Sequence, residues 1–554
     1  MSDLHQSWCV VIQRTRPAGG TSMESYTVMK ILVADDLPLS ALDILRSEGW
    51  NVDARTGRGA TELAADLADA DAIVVRSATK VTADLIAAGP RLRVIARAGT
   101  GVDNVDVNAA SARGIVVMNA PGANSISVAE LTMALMLALA RKIPAADSSM
   151  KQGKWDKKSF LGEEVRGKTL GLAGLGRIGQ EVARRARGFE MNIIAHDPFI
   201  SAQIARDMRI ELVSLSELCA RADYLSLHMP ATAETRHLFN AQRFAAAKKG
   251  LRIINTARGD LIDESALADA IETGHIGGAA LDVFQNEPTT DHRLQKLPQV
   301  IASPHIAAST REGQELVGVE TATAVRDYLK AGVIRNAVNF PSLGTDEFQK
   351  LKPFAEVGRR LGSLIGQMGR VRIEGVSVRY YGAIEGSSNP LLVSSVLEGL
   401  LRAMVSLPIT TVNARAVATE RGIDVSESHS TRQRAYTSLL SVKLNTDHGE
   451  RYVEGTIVQG QPRLVLLNGV QVEAPLEGTM LLLLNNDKPG VVGAVGTILG
   501  KHNVNIANFA LGRGYGGAVG IVTVDDPDGN AVTTAVLDEL RAVPSIQAAW
   551  AVKI

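Results

Sequence analysis

Short apolar runs alternate with amphipathic segments over roughly the first quarter of the chain. The segment Leu39–Ser47, for example, carries apolar residues at helical spacing. This alternation is typical of βαβ units and predicts a parallel sheet over residues 29–125. The apolar runs that we interpret as its strands are Ile31–Ala34, Ala72–Val75, Val94–Ala96 and Ile115–Val117.

A second α/β unit follows, covering residues 126–309. It opens with a predicted helix at Val128–Arg141, and a later helix at Glu312–Leu329 is expected to return to the first unit, which then includes residues 310–340. The pattern therefore predicts two doubly wound, Rossmann-like α/β domains that form a cleft. The strands expected in the second unit are Thr169–Ala173, Ile193–Ala195, Tyr224–Leu227, Arg252–Asn255, Gly278–Leu281 and Val300–Ser303.

The C-terminal third has a different pattern. Residues 345–475 contain long alternating strands, such as Val371–Tyr380 and Arg451–Val458, and no glycine-rich cofactor loop, which indicates an α+β domain. Residues 479–554 form a separate small module, with a strand at Thr479–Leu484 and a helix at Val492–Leu499.

Composition narrows the classes of function. Apolar residues make up 45% of the 554-residue chain and charged residues 21%, as in globular proteins. Lys plus Arg and Asp plus Glu both total 59, so no net charge attracts nucleic acid or an anionic membrane. The two cysteines, Cys9 and Cys219, lack the spacing of metal ligands, and so few cysteines favour a reducing compartment. The apolar stretch Leu131–Ala140 is too short to span a bilayer. We expect a cytoplasmic protein with no metal, nucleic acid or membrane partner.

Residues 1–28 are expected to be a disordered extension. They lack the apolar segment of a secretory signal. The strand that begins directly after Met29 favours a start site placed too far upstream over an organelle-targeting peptide.

The segment Gly174-Leu-Gly176-Arg177-Ile178-Gly179 follows an apolar strand and opens a helix, which is the context of a dinucleotide-binding loop. Asp197 ends the next strand, where a carboxylate accepts ribose hydroxyls and repels a 2′-phosphate. The sequence therefore predicts NAD as the cofactor. Further cofactor contacts are expected from residues at or near strand ends of this unit: His228, Pro230, Thr256, Ala257, Asp282 and Ala307.

Three residues after successive strands supply the groups that oxidation of a 2-hydroxy acid requires. The planar guanidinium of Arg258 can bind a carboxylate with two hydrogen bonds. His305 can act as the base that removes the hydroxyl proton, and the carboxylate of Glu287 orients His305 and favours its protonated form. Each residue alone fits a solvated loop. His228 also follows a strand, but it lacks an acid at a similar position, so we expect His305 to be the base.

In these motifs, residues 29–340 resemble the D-isomer-specific 2-hydroxyacid dehydrogenases. The segments Val75–Val81 and Arg97-Ala-Gly-Thr-Gly-Val-Asp-Asn104 resemble the members that oxidise 3-phospho-D-glycerate to 3-phosphohydroxypyruvate, the step that opens the phosphorylated route to serine. The resemblance implies that Arg76 and Arg97 hold the phosphate, and that Arg258 and the backbone turn containing Thr100 and Gly101 hold the carboxylate.

Residues 479–554 resemble an ACT domain, a ferredoxin-like βαββαβ module that pairs across subunits and binds amino acids. The resemblance implies L-serine as an effector, with Asp487 and Asn505 as its contacts, and a homodimer or homotetramer. Asn485 stands where some members have an aromatic residue. Residues 345–475 resemble the intervening domain of the long members, where Arg432 and Arg434 fit either an anion site or a solvated strand end.

Two other functions fit parts of this pattern. A hydroxypyruvate or glyoxylate reductase of the same family has no need of Arg76 and Arg97 for a phosphate, but the regulatory tail argues against it. An NAD-sensing co-repressor can retain the same catalytic residues, and the terminal amino-acid-binding module argues against that function.

Overall fold

The computed structural model describes residues 28–290, 292–369, 371–382, 384, 389–405, 408–432, 434–514 and 516–554. The predicted disordered extension lies outside this part of the chain, apart from its last residue. The described chain builds four sheets in sequence order.

The first sheet has five parallel strands in the order β2-β1-β3-β4-β5. Of its central strands, Ala72–Val75 is buried throughout and Val94–Arg97 is buried except at Arg97, as expected for a parallel sheet with helices on both faces. The elements of this unit are β1 (Lys30–Val33), α1 (Leu39–Arg46), β2 (Asn51–Asp53), α2 (Ala60–Leu67), β3 (Ala72–Val75), α3 (Ala83–Ala87), β4 (Val94–Arg97), α4 (Val107–Ala112) and β5 (Val116–Met118).

The second sheet has seven parallel strands in the order β12-β11-β10-β9-β6-β7-β8, and the direction of strand addition reverses at β6. Ligands of doubly wound sheets bind at such a reversal, beyond the carboxyl ends of the strands. The elements are α5 (Ser125–Arg141), α6 (Ile143–Lys151), β6 (Thr169–Ala173), α7 (Arg177–Gly188), β7 (Asn192–His196), α8 (Ala202–Asp207), β8 (Glu211–Leu212), α9 (Leu215–Arg221), β9 (Tyr224–Leu227), α10 (Ala241–Ala246), β10 (Arg252–Asn255), a 3-10 turn (Gly259–Leu261), α11 (Glu264–Glu272), β11 (Gly278–Leu281), α12 (Arg293–Lys296) and β12 (Val300–Ala302).

Helix α13 (Arg311–Ala331) carries the chain back to the first sheet. Its buried residues, such as Val317 and Val325, join the apolar core beneath that sheet. Helix α13 therefore packs against the first sheet rather than the second.

The third sheet is mixed, with the order β14-β13-β15-β16-β17-β18, and only the β13–β14 pair is parallel. One side of it is covered by two long helices, of which the second is buried over most of its length. The elements are α14 (Thr345–Gly366), β13 (Ile373–Gly382), α15 (Pro390–Arg402), α16 (Ala414–Glu420), β14 (Asp424–Ser430), β15 (Ser438–Thr446), β16 (Gly449–Val458), β17 (Gln461–Leu467) and β18 (Val470–Pro475).

The fourth sheet is antiparallel, in the order β20-β21-β19-β22, which is the ferredoxin-like βαββαβ arrangement that the sequence predicts. One face of the sheet carries two helices around their own apolar core. The elements are β19 (Thr479–Asn485), α17 (Val491–Lys501), β20 (Ile506–Gly514), β21 (Gly517–Val524), α18 (Thr534–Arg541) and β22 (Ile546–Lys553).

The C-terminal domains are packed onto the catalytic half. The open face of the fourth sheet, with Leu482 and Ile521, shares one apolar core with the third sheet and with the first. The side chain of Gln367, just after α14, exchanges two hydrogen bonds with the backbone of Lys553, at 2.9 and 3.0 Å. Thr410 of the third domain donates to the carbonyl of Gly114 in the first, at 2.9 Å.

The fold class predicted from the sequence is confirmed: two parallel, doubly wound sheets, a mixed α+β domain and a terminal ferredoxin-like module. Within the described residues, no helix is both long and apolar enough to cross a membrane. Nor does the described part of the chain contain a group of three His, Cys, Asp or Glu side chains suited to a metal ion.

Candidate active site

Three glycines shape the loop between β6 and α7. Gly174 has a left-handed φ of +100°, and a side chain there would meet the carbonyl of His228 at 2.5 Å. Gly179 packs so tightly against the Gly174 carbonyl that a Cβ would collide with it, whereas Gly176 faces open space. Because Gly176 also begins a 12-residue helix, its open side offers unbonded amides and a positive dipole end to a phosphate group.

Asp197 lies at the same edge of the sheet, after β7. Its Oδ2 accepts the amide of Leu175 at 2.8 Å, and its Oδ1 accepts the amides of Phe199 and Ile200 at 2.8 and 3.2 Å. The carboxylate thus ties the glycine-rich loop to the end of the next strand. It retains lone pairs for ribose hydroxyls, because a carboxylate has about four acceptor sites.

The backbone of His228 packs against Gly174 of the glycine-rich loop. Its Nε2 lies 2.9 Å from Oγ of Ser226, while its Nδ1 is buried without a hydrogen-bond partner in the described chain. Burial lowers the pKa of His228 to about 3. The ring is therefore neutral near pH 7 and a much weaker base than an ordinary histidine.

The remaining predicted cofactor residues divide into two groups. Pro230 and Ala257 are partly exposed at the carboxyl ends of β9 and β10, while Thr256 is buried and shares a 2.8 Å hydrogen bond with Thr132. Asp282 is fully buried, and its carboxylate accepts Ser303 Oγ at 2.6 Å and the amides of Ile306 and Ala307 at 2.9 and 2.8 Å. In this structure Asp282 therefore fixes the loop that carries His305.

Glu287 and His305 form a hydrogen-bonded pair, and both carboxylate oxygens of Glu287 are engaged. Nδ1 of His305 lies 2.7 Å from Oε2 of Glu287, and Oε1 of Glu287 accepts the amide of Phe284 at 2.9 Å. Burial alone would raise the pKa of the Glu287 carboxyl, but the hydrogen bonds from His305 and Phe284 outweigh it, and the pKa lies below its ordinary value. His305 itself has a left-handed φ of +54°, which is rare outside glycine and often marks functional positions.

A cavity of about 560 Å³ borders this pair. Apart from Glu287 and His305, its walls are largely apolar, with Phe284, Pro288 and Pro304 among them. The pair itself is accessible to solvent, because the side chains of His305 and Glu287 are 49% and 37% exposed.

Arg258 reaches across the cleft from the second domain to the first. The Asn255 side chain donates to the Arg258 carbonyl at 2.8 Å and accepts the amide of Ala257 at 3.0 Å, which holds the turn in place. The guanidinium donates to Asp103 from Nε and lies over Gly101, where a Cβ would collide with Nη2. Asp103 was not singled out from the sequence, although it lies in the motif that contains Arg97.

Arg97 lies over the other glycine of the same turn. A Cβ on Gly99 would collide with its Nη1, so the Gly99–Gly101 turn lies between the guanidinium groups of Arg97 and Arg258. Burial, together with the nearby charges of Arg258 and Arg76, lowers the pKa of Arg97. Its Nε is buried and has no acceptor in the described chain.

The loops around these cations are braced by side chains that the sequence analysis did not single out. Asp35 accepts the amide of Arg76 at 2.5 Å and the hydroxyl of Thr79 at 2.7 Å. Asn104 donates to the carbonyls of both residues, at 2.7 and 2.6 Å. Thr100 donates to Asn124 at 2.8 Å, so its hydroxyl is already engaged.

The predicted effector residues are not brought together within one chain. Asp487 follows the end of β19 and pairs with Arg513 of β20 at 3.2 Å. Asn505 precedes β20 and donates to Asp525 at 2.7 Å. Because β19 and β20 both pair antiparallel with β21, these positions lie at opposite ends of the sheet, about 20 Å apart at 3.3 Å per residue.

The loop before α17 nevertheless has a polar interior. Asn485 is buried, its Oδ1 accepts the amide of Asp487 at 3.0 Å, and its Nδ2 has no acceptor in the described residues. In the third domain, Arg434 packs over the Tyr381 ring at 4.8 Å and donates to its hydroxyl, which raises the pKa of Arg434. Arg432 is exposed.

Comparisons with known proteins agree with this architecture. Three family models match: the NAD binding domain of D-isomer specific 2-hydroxyacid dehydrogenases over residues 133–307, the D-3-phosphoglycerate dehydrogenase intervening domain over 350–468, and the ACT domain over 479–545. The D-3-phosphoglycerate dehydrogenase of Archaeoglobus fulgidus is 42% identical, over 94% of this chain and 98% of its own length.

Solved structures match the catalytic half. A glyoxylate reductase from Paecilomyes thermophila is 32% identical with a TM-score of 0.53, and covers 56% of this chain and 98% of its own. A D-lactate dehydrogenase from Aquifex aeolicus, complexed with NAD and lactic acid, is 28% identical with a TM-score of 0.50, and covers 56% of this chain and all of its own.

Proposed function

The chain belongs to the D-3-phosphoglycerate dehydrogenases, a branch of the NAD-binding D-isomer-specific 2-hydroxyacid dehydrogenases, and from this premise we propose its reaction and its regulation. The enzyme oxidises 3-phospho-D-glycerate to 3-phosphohydroxypyruvate with NAD. This reaction is the first step of the phosphorylated route to serine, located in the cytoplasm, and L-serine inhibits it through the ACT domain.

The partly buried Arg97 side chain is the observation that carries the choice of substrate. Its Nε is buried without an acceptor in the described chain, and burial together with the nearby charges of Arg258 and Arg76 lowers the pKa of Arg97, so this position favours the binding of an anion. A phosphate dianion would supply the missing acceptors and the opposite charge. A substrate whose only anionic group is the carboxylate held at Arg258 would supply no anion to Arg97.

The carboxylate of the substrate would lie against Arg258 and the amides of the Gly99–Gly101 turn. Asn255 holds the backbone of Arg258, while the guanidinium donates from Nη1 to the Ala257 carbonyl at 2.7 Å and lies over Gly101, so its fork is already oriented for a carboxylate. Orientation before binding lowers the entropic cost of reaching the reactive geometry.

His305 would remove the proton from the C2 hydroxyl at Nε2, because its Nδ1 already faces Glu287. The Glu287 carboxylate, whose pKa lies below its ordinary value, fixes the ring and stabilises the imidazolium that forms. The Gly174–Gly179 loop and Asp197 would hold NAD, which would supply the acceptor for the hydride from C2. His228, with its pKa near 3, would serve as a neutral wall of the cofactor cleft.

Serine would bind at the loop between Asn485 and Gly490. The buried Asn485 amide with its free Nδ2 offers a donor for the serine carboxylate, and Asp487 offers a carboxylate for the ammonium group. Arg513 forms an ion pair with Asp487, so the serine ammonium group would replace Arg513 as the partner of Asp487.

Pairing of two ACT domains would complete this site. The strand β20 is an edge strand, and its antiparallel pairing with β20 of a second copy would place Asn505 of the partner subunit beside Arg513 and Asp487. This geometry supports a homodimer or a homotetramer and explains why Asp487 and Asn505 lie far apart in one chain.

NADH oxidation by the purified protein tests the proposal. The substrates are 3-phosphohydroxypyruvate, hydroxypyruvate and glyoxylate, each assayed with and without L-serine. A strong preference for the phosphorylated acid that serine suppresses is the expected result. Equal use of the unphosphorylated acids would refute the substrate assignment, and full activity in saturating serine would refute the regulation.

A further inference from the structure

The Arg258 guanidinium already holds a carboxylate of this chain at the place proposed for that of the substrate. Its Nε donates to Oδ2 of Asp103 at 3.1 Å, and its Nη2 lies 3.1 Å from the same oxygen. Its Nη1 donates to the Ala257 carbonyl at 2.7 Å. The Nε–Nη2 edge of the Arg258 guanidinium, which offers two parallel donors, therefore binds Asp103.

This ion pair joins the two catalytic domains. Asp103 lies in the first domain, two residues beyond Gly101, and Arg258 follows β10 of the second. Across the cleft, the Asp103 side chain is 69% exposed, whereas that of Arg258 is only 30% exposed. Asp103 can thus move into solvent at little cost, while Arg258 stays fixed by its contacts with Gly101 and the Asn255 turn.

We infer that Asp103 is an internal competitor of the substrate: its carboxylate occupies the Nε and Nη2 edge of Arg258 in the free enzyme, and the C1 carboxylate of the hydroxy acid displaces it. The inference rests on the proposed role of Arg258 but not on the identity of the hydroxy acid, because every 2-hydroxy acid has this carboxylate. It makes Asp103 a residue that sets substrate affinity.

A positioning role for Asp103 predicts the opposite effect on binding. If Asp103 held Arg258 in its working orientation, loss of its charge would weaken carboxylate binding and lower kcat. If Asp103 competes, loss of its charge strengthens binding. The Ala257 carbonyl, which accepts Nη1, and the close packing on Gly101 orient the guanidinium without Asp103, which favours competition.

The experiment measures binding of oxalate, a dicarboxylate that cannot be reduced, to the NADH complex of the full-length enzyme by calorimetry. Asp103→Asn is expected to bind oxalate about two- to fivefold more tightly than the wild type, as expected for loss of an exposed ion pair. The KM of the oxo-acid substrate should fall by a similar factor. Asp103→Glu, which retains the charge, should bind oxalate as the wild type does.

Two controls separate direct competition from a general change in charge. Asp36→Asn removes an exposed carboxylate beside Arg76, whose Nη1 donates to the Asp36 carbonyl, without touching Arg258. It should leave oxalate binding within twofold of the wild type. Inorganic phosphate, which would bind at Arg76 and Arg97, should gain less from Asp103→Asn than oxalate does.

Weaker or unchanged oxalate binding in Asp103→Asn would overturn the inference, and so would an equal gain for phosphate and oxalate. A failure of the proposed substrate looks different. Preference for an unphosphorylated acid would change the assay substrate but leave the effect of Asp103→Asn on oxalate intact. If Arg258→Gln binds oxalate as tightly as the wild type, both the role of Arg258 in binding the carboxylate and the competition by Asp103 are refuted.

Discussion

His305 and Glu287, 18 residues apart in sequence, meet across two loops with Nδ1 and Oε2 at a distance of 2.7 Å. The contact requires His305 in a left-handed backbone conformation and Asp282 as an acceptor for the amides that follow it. The structure thus fixes one ring nitrogen of His305 and leaves Nε2 available to a substrate proton.

Replacing His305 by Gln is expected to lower kcat by about 10²- to 10⁴-fold, the usual contribution of a general base. Glu287→Gln should cause a smaller loss, because the ring keeps a hydrogen-bond partner but not a counter-charge. Stopped-flow and steady-state NADH oxidation give kcat, and NADH fluorescence reports whether the cofactor still binds. His448→Gln changes an exposed histidine of the third domain and should keep full turnover. Near wild-type turnover in His305→Gln would show that His305 is not the general base.

Asp197→Asn is expected to reduce discrimination between NADH and NADPH by roughly tenfold or more, because the charge that repels the 2′-phosphate is lost. The single amide oxygen of the variant can accept either the Leu175 amide or those of Phe199 and Ile200, so its melting temperature is measured to check that the loop stays folded. The measurement is the ratio of kcat/KM for the two cofactors. Asp207→Asn, at the exposed end of α8, serves as the control and should leave this ratio unchanged. An unaltered ratio in Asp197→Asn would show that discrimination arises elsewhere.

Acid is expected to destabilise the second domain through His228. The folded pKa is about 3, against an ordinary value of 6.5, so the unfolded chain binds more protons between these values and stability falls as the pH drops below 6.5. Between pH 7.5 and pH 5 the loss is about 2 kcal/mol from this residue. Melting temperatures of wild type and His228→Gln at both pH values test this, with His448→Gln as the control. His228→Gln should lose less stability than the wild type, and an equal loss would contradict the buried, neutral ring.

Inhibition by serine is expected to weaken at least tenfold in Asp487→Asn, because the ammonium group loses its charged partner. The half-inhibitory serine concentration measures the effect, and kcat without serine should stay the same, since the ACT domain lies outside the catalytic cleft. Asp528→Asn alters an exposed acidic residue of the same domain and should not change inhibition. Unchanged inhibition in Asp487→Asn would place the effector site elsewhere.

Periodicity and motifs were sufficient to predict the parallel sheets. The strands Ala72–Val75, Thr169–Ala173 and Arg252–Asn255 have the predicted bounds, because apolar residues that are buried on both faces leave a continuous signal. The contact between Glu287 and His305 was also predictable, since both residues follow strands of one sheet and the carboxyl ends of parallel strands meet at one edge.

Contacts between distant segments were not predictable in the same way. The Asp103–Arg258 pair joins residues 155 positions apart, and neither local pattern indicates its partner. Asp282 was expected to contact the cofactor, yet its carboxylate binds the His305 loop, which depends on how β11 and β12 lie side by side. The shared core of the first, third and fourth sheets likewise has no local signal, because a half-buried strand has the same alternation whatever packs on it.

The selectivity for a phosphorylated substrate tests the central claim most directly. The measurement is the ratio of kcat/KM for 3-phosphohydroxypyruvate to that for hydroxypyruvate, in wild type, Arg97→Gln and Arg91→Gln. Arg91 is a partly exposed arginine of the same domain that pairs with Asp71, and its substitution should leave the ratio unchanged. Arg97→Gln should lower the ratio by roughly 10- to 100-fold, as expected for loss of a charged hydrogen bond to phosphate. A wild-type ratio near one, or a ratio unaffected by Arg97→Gln, would contradict the proposed function.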